Sequence, residues 1–140
     1  MKDVPIDVLR EIFKAAPFIT SLGVELESVS EGACYTSIKV RTDHMQQNGV
    51  VHAGVMATLA DHTAGGAAST VMPPGTYPLT AEFKINLLRP TSGKVLRCRS
   101  TVLKSGKSLI VAESEVYSAT EAADVLCAKA MVTLSVVSKS

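Results

Sequence analysis

The chain has 140 residues, of which 46% are hydrophobic, and its 14 basic and 13 acidic residues leave a net charge of +1. This length is typical of one domain with a single core, so we expect one domain over residues 1–140. The near-neutral, evenly spread charge argues against a nucleic-acid-binding surface and against a polybasic membrane anchor. An anionic partner must then be small and locally bound.

The cysteines and the amino terminus indicate the compartment. Cys34, Cys98 and Cys127 are odd in number, widely spaced and without a Cys-x-x-Cys pair, so we expect buried thiols and neither disulfides nor a zinc site. The amino terminus lacks the basic and apolar regions of a signal peptide, and no apolar run is long enough to span a bilayer. We expect a cytoplasmic protein that does not bind membranes.

The first third of the chain predicts one helix and two strands. Residues 5–15 carry apolar side chains at helical spacing, namely Ile6, Leu9, Ile12 and Phe13, which is typical of a short amphipathic helix. From Gly23 onward the apolar positions alternate, which is typical of strands. Glu31-Gly32 supplies the turn between the two strands.

The middle of the chain predicts a long helix, and the rest predicts strands. Residues 51–70 are rich in Ala and Gly, so we expect a helix that begins near His52 and packs closely against other elements. Pro73-Pro74-Gly75 bars its continuation. Four strands are expected at residues 80–88, 94–104, 108–118 and 125–137. The fold class is therefore α+β, with an antiparallel sheet covered on one face by the long helix.

The loop before this helix is the most informative segment for function. A turn-rich stretch, residues 44–51, leads directly into the helix, whose first free amides lie around Ala53 and Gly54. Free N–H groups at the positive end of a helix attract negative charge, including the oxyanion that forms when a thioester carbonyl is attacked. The small side chains of Ala53 and Gly54 allow a substrate to approach this backbone.

Asp61 is the second candidate, because it is the one carboxylate between Asp43 and Glu82. Its helix is otherwise almost entirely apolar or small, which suggests a nucleophile or general base; the alternative is an exposed polar stripe on the helix. Ala53 and Asp61 are eight residues apart, or about 12 Å along one helix axis. We therefore infer active sites shared across a two-fold dimer interface.

The three histidines have simpler interpretations. His52, at the helix start, is expected to cap the helix or bond the loop in preference to acid–base catalysis. The histidine spacings do not match those of zinc sites, so no metal is expected. The chain also lacks the Gly-x-Ser-x-Gly motif of serine hydrolases.

Residues 46–61 resemble the signature of hotdog-fold acyl-CoA thioesterases, specifically the PaaI-like group. The likeness extends to residues 17–24 and to Asn86-Leu87-Leu88-Arg89-Pro90. It implies a curved sheet wrapped around a central helix, a homodimer or dimer of dimers, and hydrolysis of a small or medium acyl-CoA, aryl or aliphatic. No cofactor is implied, since coenzyme A is part of the substrate.

The resemblance also implies roles for individual residues. Asp61 stands in the place of the base or nucleophile, Gln46 in that of the side chain that orients the carbonyl or water, and the Ala53 amide in that of the oxyanion donor. Gln46 and Ala53 would come from one subunit and Asp61 from the other. Thr80 matches a position that holds the water in some relatives, and Gly65 one where some relatives carry a hydroxyl. Ala53 stands where the family more commonly has a glycine, but alanine keeps the backbone N–H that would serve as the donor.

Substrate contacts are expected around the same helix. His52 and Gly54 lie beside the thioester, and the acyl pocket is expected to be lined by Val50, Val55, Met56 and Leu59. Arg89 suits the coenzyme A phosphates. The weaker phosphate candidates, which we interpret first as a solvated sheet surface, are Lys84, Arg97, Arg99, Lys104 and Lys107.

Two other functions compete with hydrolysis. A hotdog hydratase or dehydratase moves protons with a histidine and a carboxylate, but the loop histidine spacing of such enzymes is missing here. A non-catalytic acyl-CoA-binding module would use the helix start to hold the thioester, with Asp61 only structural.

Overall fold

The structure is a computed structural model that describes residues 5–139. Six strands form one sheet in the order β1-β2-β4-β5-β6-β3, in which all neighbouring strands are antiparallel. In chain order the elements are α1 (Ile6–Lys14), α2 (Pro17–Leu22), β1 (Val24–Ser30), β2 (Ala33–Lys39), a 3-10 turn (Thr42–His44), α3 (Ala53–Ser69), β3 (Thr76–Leu87), β4 (Val95–Ser105), β5 (Leu109–Ala119) and β6 (Asp124–Ser138).

The predicted α+β architecture is confirmed, with two differences. The short helix α2 was not predicted, because its six residues are too few to show a helical period; Pro17 begins it and Gly23, at φ 81°, ends it. Strand β3 begins at Thr76 and not at residue 80, and it includes Pro78. A proline is tolerated there because β3 is an edge strand, whose outer N–H groups need no partner.

Helix α3 crosses the concave face of the sheet and forms the core with it. The side chains that face the sheet are small, and Ala60, Ala64, Ala67 and Ala68 are fully buried. They allow the helix backbone to approach the strands closely, and Leu59 fills the space beside them. The three cysteines are buried and free, as predicted. None of the helices within residues 5–139 is long and apolar enough to cross a membrane.

Buried hydroxyl groups tie one turn of α3 to the sheet. The Ser114 hydroxyl of β5 donates to the carbonyl of Ala60 at 2.7 Å, and Ser100 of β4 lies 2.5 Å from Ser114. Thr63 donates to the Leu59 carbonyl at 2.6 Å and shares a 2.7 Å hydrogen bond with Thr36 of β2. Because these carbonyls immediately precede Asp61, the sheet fixes the position of that carboxylate's turn.

Strand β3 leaves apolar side chains uncovered. Leu79 is 57% exposed, Phe83 39% and Leu87 49%. The sequence predicted that the apolar face of this strand would belong to the covered face of the sheet. Within the described chain, however, β3 lies at the edge of the sheet and has one neighbouring strand, β6. A bulge at Thr80/Glu82 shifts the alternation as well. The edge is therefore both apolar and open to pairing.

The adjacent glycines of α3 provide a test of this packing. A Cβ at Gly66 would lie 2.7 Å from the Cys34 sulfur, whereas one at Gly65 would meet nothing within 4 Å. We expect Gly66→Ala to lower the free energy of unfolding by about 1–3 kcal/mol through overpacking. Gly65→Ala should raise it by about 0.5–1 kcal/mol, because alanine favours the helix. Urea denaturation of both variants measures this; equal effects would contradict the orientation of α3.

Candidate active site

Asp61 and Thr80 are in direct contact. The Thr80 hydroxyl, on β3, donates to Oδ1 of Asp61, on α3, at 2.6 Å, and both side chains are partly buried. The hydrogen bond fixes the orientation of the carboxylate and leaves its second oxygen to face a ligand. Sequence reasoning singled out both residues, and the structure adds that the threonine bonds the carboxylate itself.

Asp61 lies between two cavities, which we call the α1 cavity and the α2 cavity. The α1 cavity has a volume of about 880 Å³ and lies among α1, the Asp61–Ser69 face of α3 and residues 72–80. The α2 cavity is smaller, about 380 Å³, and is bounded by Phe18, Ala57 and Phe83 among others. His62 borders both. A carboxylate at the junction of two cavities can reach a substrate in either one.

His62 is a histidine without a polar partner. Its Nε2 is buried and makes no hydrogen bond to the part of the chain that the structure describes. The ring lies edge-on to Phe13 of α1, with 4.2 Å between ring centroids. Burial lowers the pKa of His62 to about 4, so the ring is neutral at pH 7 and behaves as an aromatic wall.

The start of α3 offers one free amide. Nδ1 of His52 accepts from the Gly54 amide at 2.8 Å, which confirms the predicted capping role and leaves that amide occupied. The Val55 amide donates to the His52 carbonyl at 3.0 Å. Over residues 5–139, the Ala53 amide donates to no carbonyl or side chain. Ala53 is therefore the free donor at the positive end of the helix.

The loop before α3 holds Gln46 at the same end. The backbone amide of Gln46 donates to the Val50 carbonyl at 2.8 Å, and the side-chain oxygen of Gln46 accepts a hydrogen bond from the backbone amide of Asn48. With the oxygen engaged, the side-chain NH₂ remains as a donor. His44 is structural: its Nδ1 accepts from the Arg41 amide and its Nε2 bonds the Leu22 carbonyl, both at 2.9 Å.

The structure thus divides the predicted site residues into two groups. Asp61, Thr80 and Gly65 border the α1 cavity, whereas Gln46, His52, Ala53 and Gly54 lie at the start of α3. Neither cavity that Asp61 lines includes a residue of the second group. With about 12 Å of helix axis between Ala53 and Asp61, one chain does not bring the groups onto one thioester.

The residues predicted to line the acyl pocket lie elsewhere. Val55, Met56 and Leu59 are at most 8% exposed and belong to the hydrophobic core, and Val50 lies in the loop before α3. None of the four borders either cavity at Asp61. The physical reason is the phase of the helix: Val55, Met56 and Leu59 share the core-facing side with Ala60, while Asp61 points towards Thr80 on the edge strand β3.

The basic residues differ in how they are engaged. Arg97 pairs with Asp124 at 3.1 Å, and Arg99 pairs with Glu115, which agrees with the interpretation of these two as a solvated sheet surface. Arg89 is exposed, and its amide bonds the Cys127 carbonyl at 3.2 Å. Two residues later, the Thr91 carbonyl accepts from the Val51 amide at 2.8 Å, so the Arg89 segment lies beside the start of α3.

The remaining predicted phosphate contacts are exposed lysines, namely Lys84, Lys104 and Lys107. Within residues 5–139, no three His, Cys, Asp or Glu side chains come together as metal ligands.

Sequence reasoning missed the part of the site built by the first helix. Val8, Ile12 and Phe13 of α1 border the α1 cavity, as does His62, which was not among the predicted site residues. The amphipathic period of α1 was visible in the sequence. Its apolar side predicted only packing, because nothing local shows that it lies across α3 from Asp61.

Comparisons with known protein families, sequences and structures show which family the chain belongs to. The Thioesterase superfamily profile matches residues 48–133. A Saccharolobus solfataricus protein assigned to the esterases is 33% identical over 112 residues, 79% of each chain. A 1,4-dihydroxy-2-naphthoyl-CoA hydrolase from Listeria monocytogenes is 27% identical over 101 residues, 72% of this chain and 82% of that enzyme. The crystal structure of a thioesterase family protein from Silicibacter pomeroyi superposes with a TM-score of 0.91 at 28% identity, covering 95% of this chain and 98% of that one.

The chain belongs to the Thioesterase superfamily and has the hotdog fold. It is a thioester hydrolase by this membership, and the matched residues 48–133 include both α3 and Thr80. The expected family resemblance and the expected class of enzyme are confirmed.

The lowered pKa of His62 predicts a pH-dependent stability. The unfolded histidine takes up a proton near pH 6.5, whereas the folded one resists it until about pH 4. His62 therefore contributes stability above pH 6.5 that is lost as the pH falls towards 4, by about 2 kcal/mol. Denaturation at pH 7 and pH 4.5 should show a smaller loss for His62→Phe than for the wild type. Equal losses would mean that His62 is not buried as described.

Proposed function

We propose that the protein hydrolyses a small or medium acyl-CoA to the free acid and coenzyme A, with Asp61 as general base or nucleophile at a dimer interface. The observation that carries this proposal is the pairing of Asp61 with Thr80 at the edge of a large cavity, on a chain of the thioesterase superfamily. The coenzyme A part is supported by the Listeria monocytogenes relative, whose name specifies a CoA thioester.

The chemistry uses four groups. As a general base, Asp61 takes a proton from a water molecule that attacks the thioester carbonyl carbon. As a nucleophile, it attacks that carbon itself and forms an anhydride that water then hydrolyses. In both routes the carbonyl oxygen becomes an oxyanion that the Ala53 amide stabilises, and the C–S bond breaks to release the coenzyme A thiol. Thr80 orients the carboxylate, and the Gln46 side chain orients the carbonyl or the water.

The separation of the two residue groups supports a dimer. Strand β3 presents an open edge with exposed Leu79, Phe83 and Leu87, and edge-to-edge pairing of two copies buries both the apolar side chains and the free backbone groups. A two-fold axis at this edge runs two α3 helices antiparallel, so the start of one faces the Asp61 turn of the other. A dimer of dimers would use a further surface.

Arg89 is the residue we propose for the coenzyme A phosphates. It lies beside the start of α3, where the thioester is held, and Arg97 and Arg99 are engaged in ion pairs on the sheet surface. A guanidinium at an exposed strand end can bind a phosphate through two parallel hydrogen bonds.

Asp61→Asn provides the direct test of the reaction. The amide keeps the size of the side chain but accepts no proton, so we expect free-thiol release from acyl-CoA to fall by about 10²–10⁴-fold. The assay uses a panel of short aliphatic, long aliphatic and aryl acyl-CoAs at equal enzyme concentration.

Glu25→Gln, a matched change on the exposed surface of β1, is the control and should keep the wild-type rate. Full activity of Asp61→Asn would overturn the proposed role of Asp61. Tight binding of acyl-CoA by a wild type that hydrolyses no member of the panel would favour the binding module.

A complementation experiment tests the shared site. Ala53→Pro removes the proposed donor at the first helical position, where proline is tolerated, and the extended backbone of His52 (ψ 139°) suits a following proline. Alone, this variant should lose about 10²-fold in rate. Mixed with Asp61→Asn after subunit exchange, it should recover roughly a quarter of the wild-type activity, because half of the dimers are mixed and each has one intact site. No recovery, with subunit exchange verified, would mean that Ala53 and Asp61 do not act together across a dimer interface.

A further inference from the structure

The α1 cavity begins at the reacting group and continues away from it. Asp61 and Thr80 form one end, and Gly65 and Ser69 follow on the same side of α3. These helix positions extend the cavity by about 12 Å along the axis. The far end is formed by Met72 and the segment before β3. A group attached to the carbonyl carbon at Asp61 therefore has a continuous path along the helix.

Three of the hydroxyl groups that border this path are already hydrogen-bonded. Ser69 donates to the Gly65 carbonyl at 2.8 Å, Thr76 to the Pro73 carbonyl at 2.6 Å, and Thr80 to Asp61 at 2.6 Å. His62 contributes a neutral ring whose edge lies against Phe13. Between Asp61 and Ser69 the surface thus offers apolar contact and few hydrogen-bond partners, which makes burial of a charged group there costly. The exposed Lys139 also borders the cavity, but at its far end, where its backbone amide donates to the Gly75 carbonyl at 2.9 Å.

Gly65 keeps the path open. A side chain added at this position would enter empty space, since no atom lies within 4 Å of its Cβ. The glycine is one helical turn beyond Asp61, at the point where the first atoms of an acyl chain would pass. A Cβ added at the next glycine, Gly66, would instead lie 2.7 Å from the Cys34 sulfur.

Helix α1 forms a cover that is only partly buried. Leu9 and Phe13 anchor it, at 1% and 5% exposure, whereas Val8 and Ile12 border the cavity and remain 50% and 51% exposed. An apolar occupant would bury more of both side chains. Each methylene group of the occupant that is enclosed in this way should strengthen the binding of that occupant by about fourfold.

We propose that the α1 cavity receives the acyl moiety, and that the enzyme therefore selects neutral, apolar acyl groups longer than acetyl, with Gly65 as the residue that admits them. This inference rests on the thioesterase function proposed above. It moves the acyl site from the sheet-facing side of α3 to the side beneath α1.

The test compares acetyl-, hexanoyl-, decanoyl-, phenylacetyl- and adipoyl-CoA as substrates of the wild type, Gly65→Leu and Ala57→Leu. Ala57 borders the smaller α2 cavity, so its leucine variant adds similar bulk on the other side of Asp61. For the wild type, kcat/KM should rise from acetyl to decanoyl and be lowest for adipoyl, which carries a charge. Gly65→Leu should lower the decanoyl-to-acetyl ratio at least tenfold, and Ala57→Leu should leave that ratio within about twofold.

Binding of non-hydrolysable thioether analogues gives a second readout that needs no turnover. By calorimetry, the wild type should bind the decyl thioether of coenzyme A more tightly than the ethyl one, and Gly65→Leu should lose most of that difference. Thermal unfolding and light scattering check that each variant is folded and keeps the wild-type mass.

The outcomes separate this inference from the function it rests on. A wild type that hydrolyses none of the substrates overturns the proposed function. A wild type that is active, with the same chain-length profile in Gly65→Leu, overturns the acyl cavity alone. A profile shifted by Ala57→Leu instead assigns the acyl group to the α2 cavity. A preference for adipoyl overturns the apolar selection, and dissociation of Gly65→Leu into monomers would show that a second copy of the chain occupies the cavity.

Discussion

The close packing of α3 against the concave sheet is the constraint on which the rest of the structure depends. The helix approaches the strands at the distance that Ala60, Ala64 and Ala67 allow, and at Gly66 there is no room for a methyl group beside Cys34. Larger side chains on this side would move the helix outward and enlarge the spacing to every strand. The small side chains therefore define both the curvature of the sheet around the helix and the position of everything on the opposite side of α3.

The carboxylate proposed for catalysis lies on another side of α3, towards the edge strand β3. Ser114 bonds the carbonyl of Ala60, so the turn that bears Asp61 is held to the sheet from below while its carboxylate points outward to Thr80. The other end of the same helix leaves the Ala53 amide free because His52 caps only its neighbour, Gly54. One rigid helix thus presents a negative group at its middle and an anion-binding amide at its start. In the proposed function this separation leaves a single chain without a complete site, and two antiparallel copies of the chain supply both groups to one thioester.

Much of this could be predicted from local sequence. The Ala- and Gly-rich composition predicted α3 and its start at His52, and the isolation of Asp61 among small residues singled it out. The alternation of apolar and polar residues predicted the strands of the sheet, with strand ends correct to within a few residues. Helix α2 was not predicted because its six residues contain fewer than two helical turns. The start of β3 was predicted too late because proline interrupts a strand unless the strand lies at a sheet edge, and the position of Pro78 at an edge is not visible in the sequence. The acyl pocket was predicted at Val50, Val55, Met56 and Leu59 from their apolar character, and the structure adds that the last three lie in the hydrophobic core, a direction that residue type does not show.

By itself, the sequence determined the family, the fold class and the residues capable of chemistry, because residue type, capping and periodicity are properties of short segments. Only the tertiary structure decided which side of α3 faces the sheet, that Thr80 meets Asp61 across 19 positions, and that α1 covers a cavity beside them. These relations join segments distant along the chain, and they depend on packing distances that no local pattern specifies. The site is therefore a product of how the helix lies on the sheet, while its reactive groups are a product of the sequence.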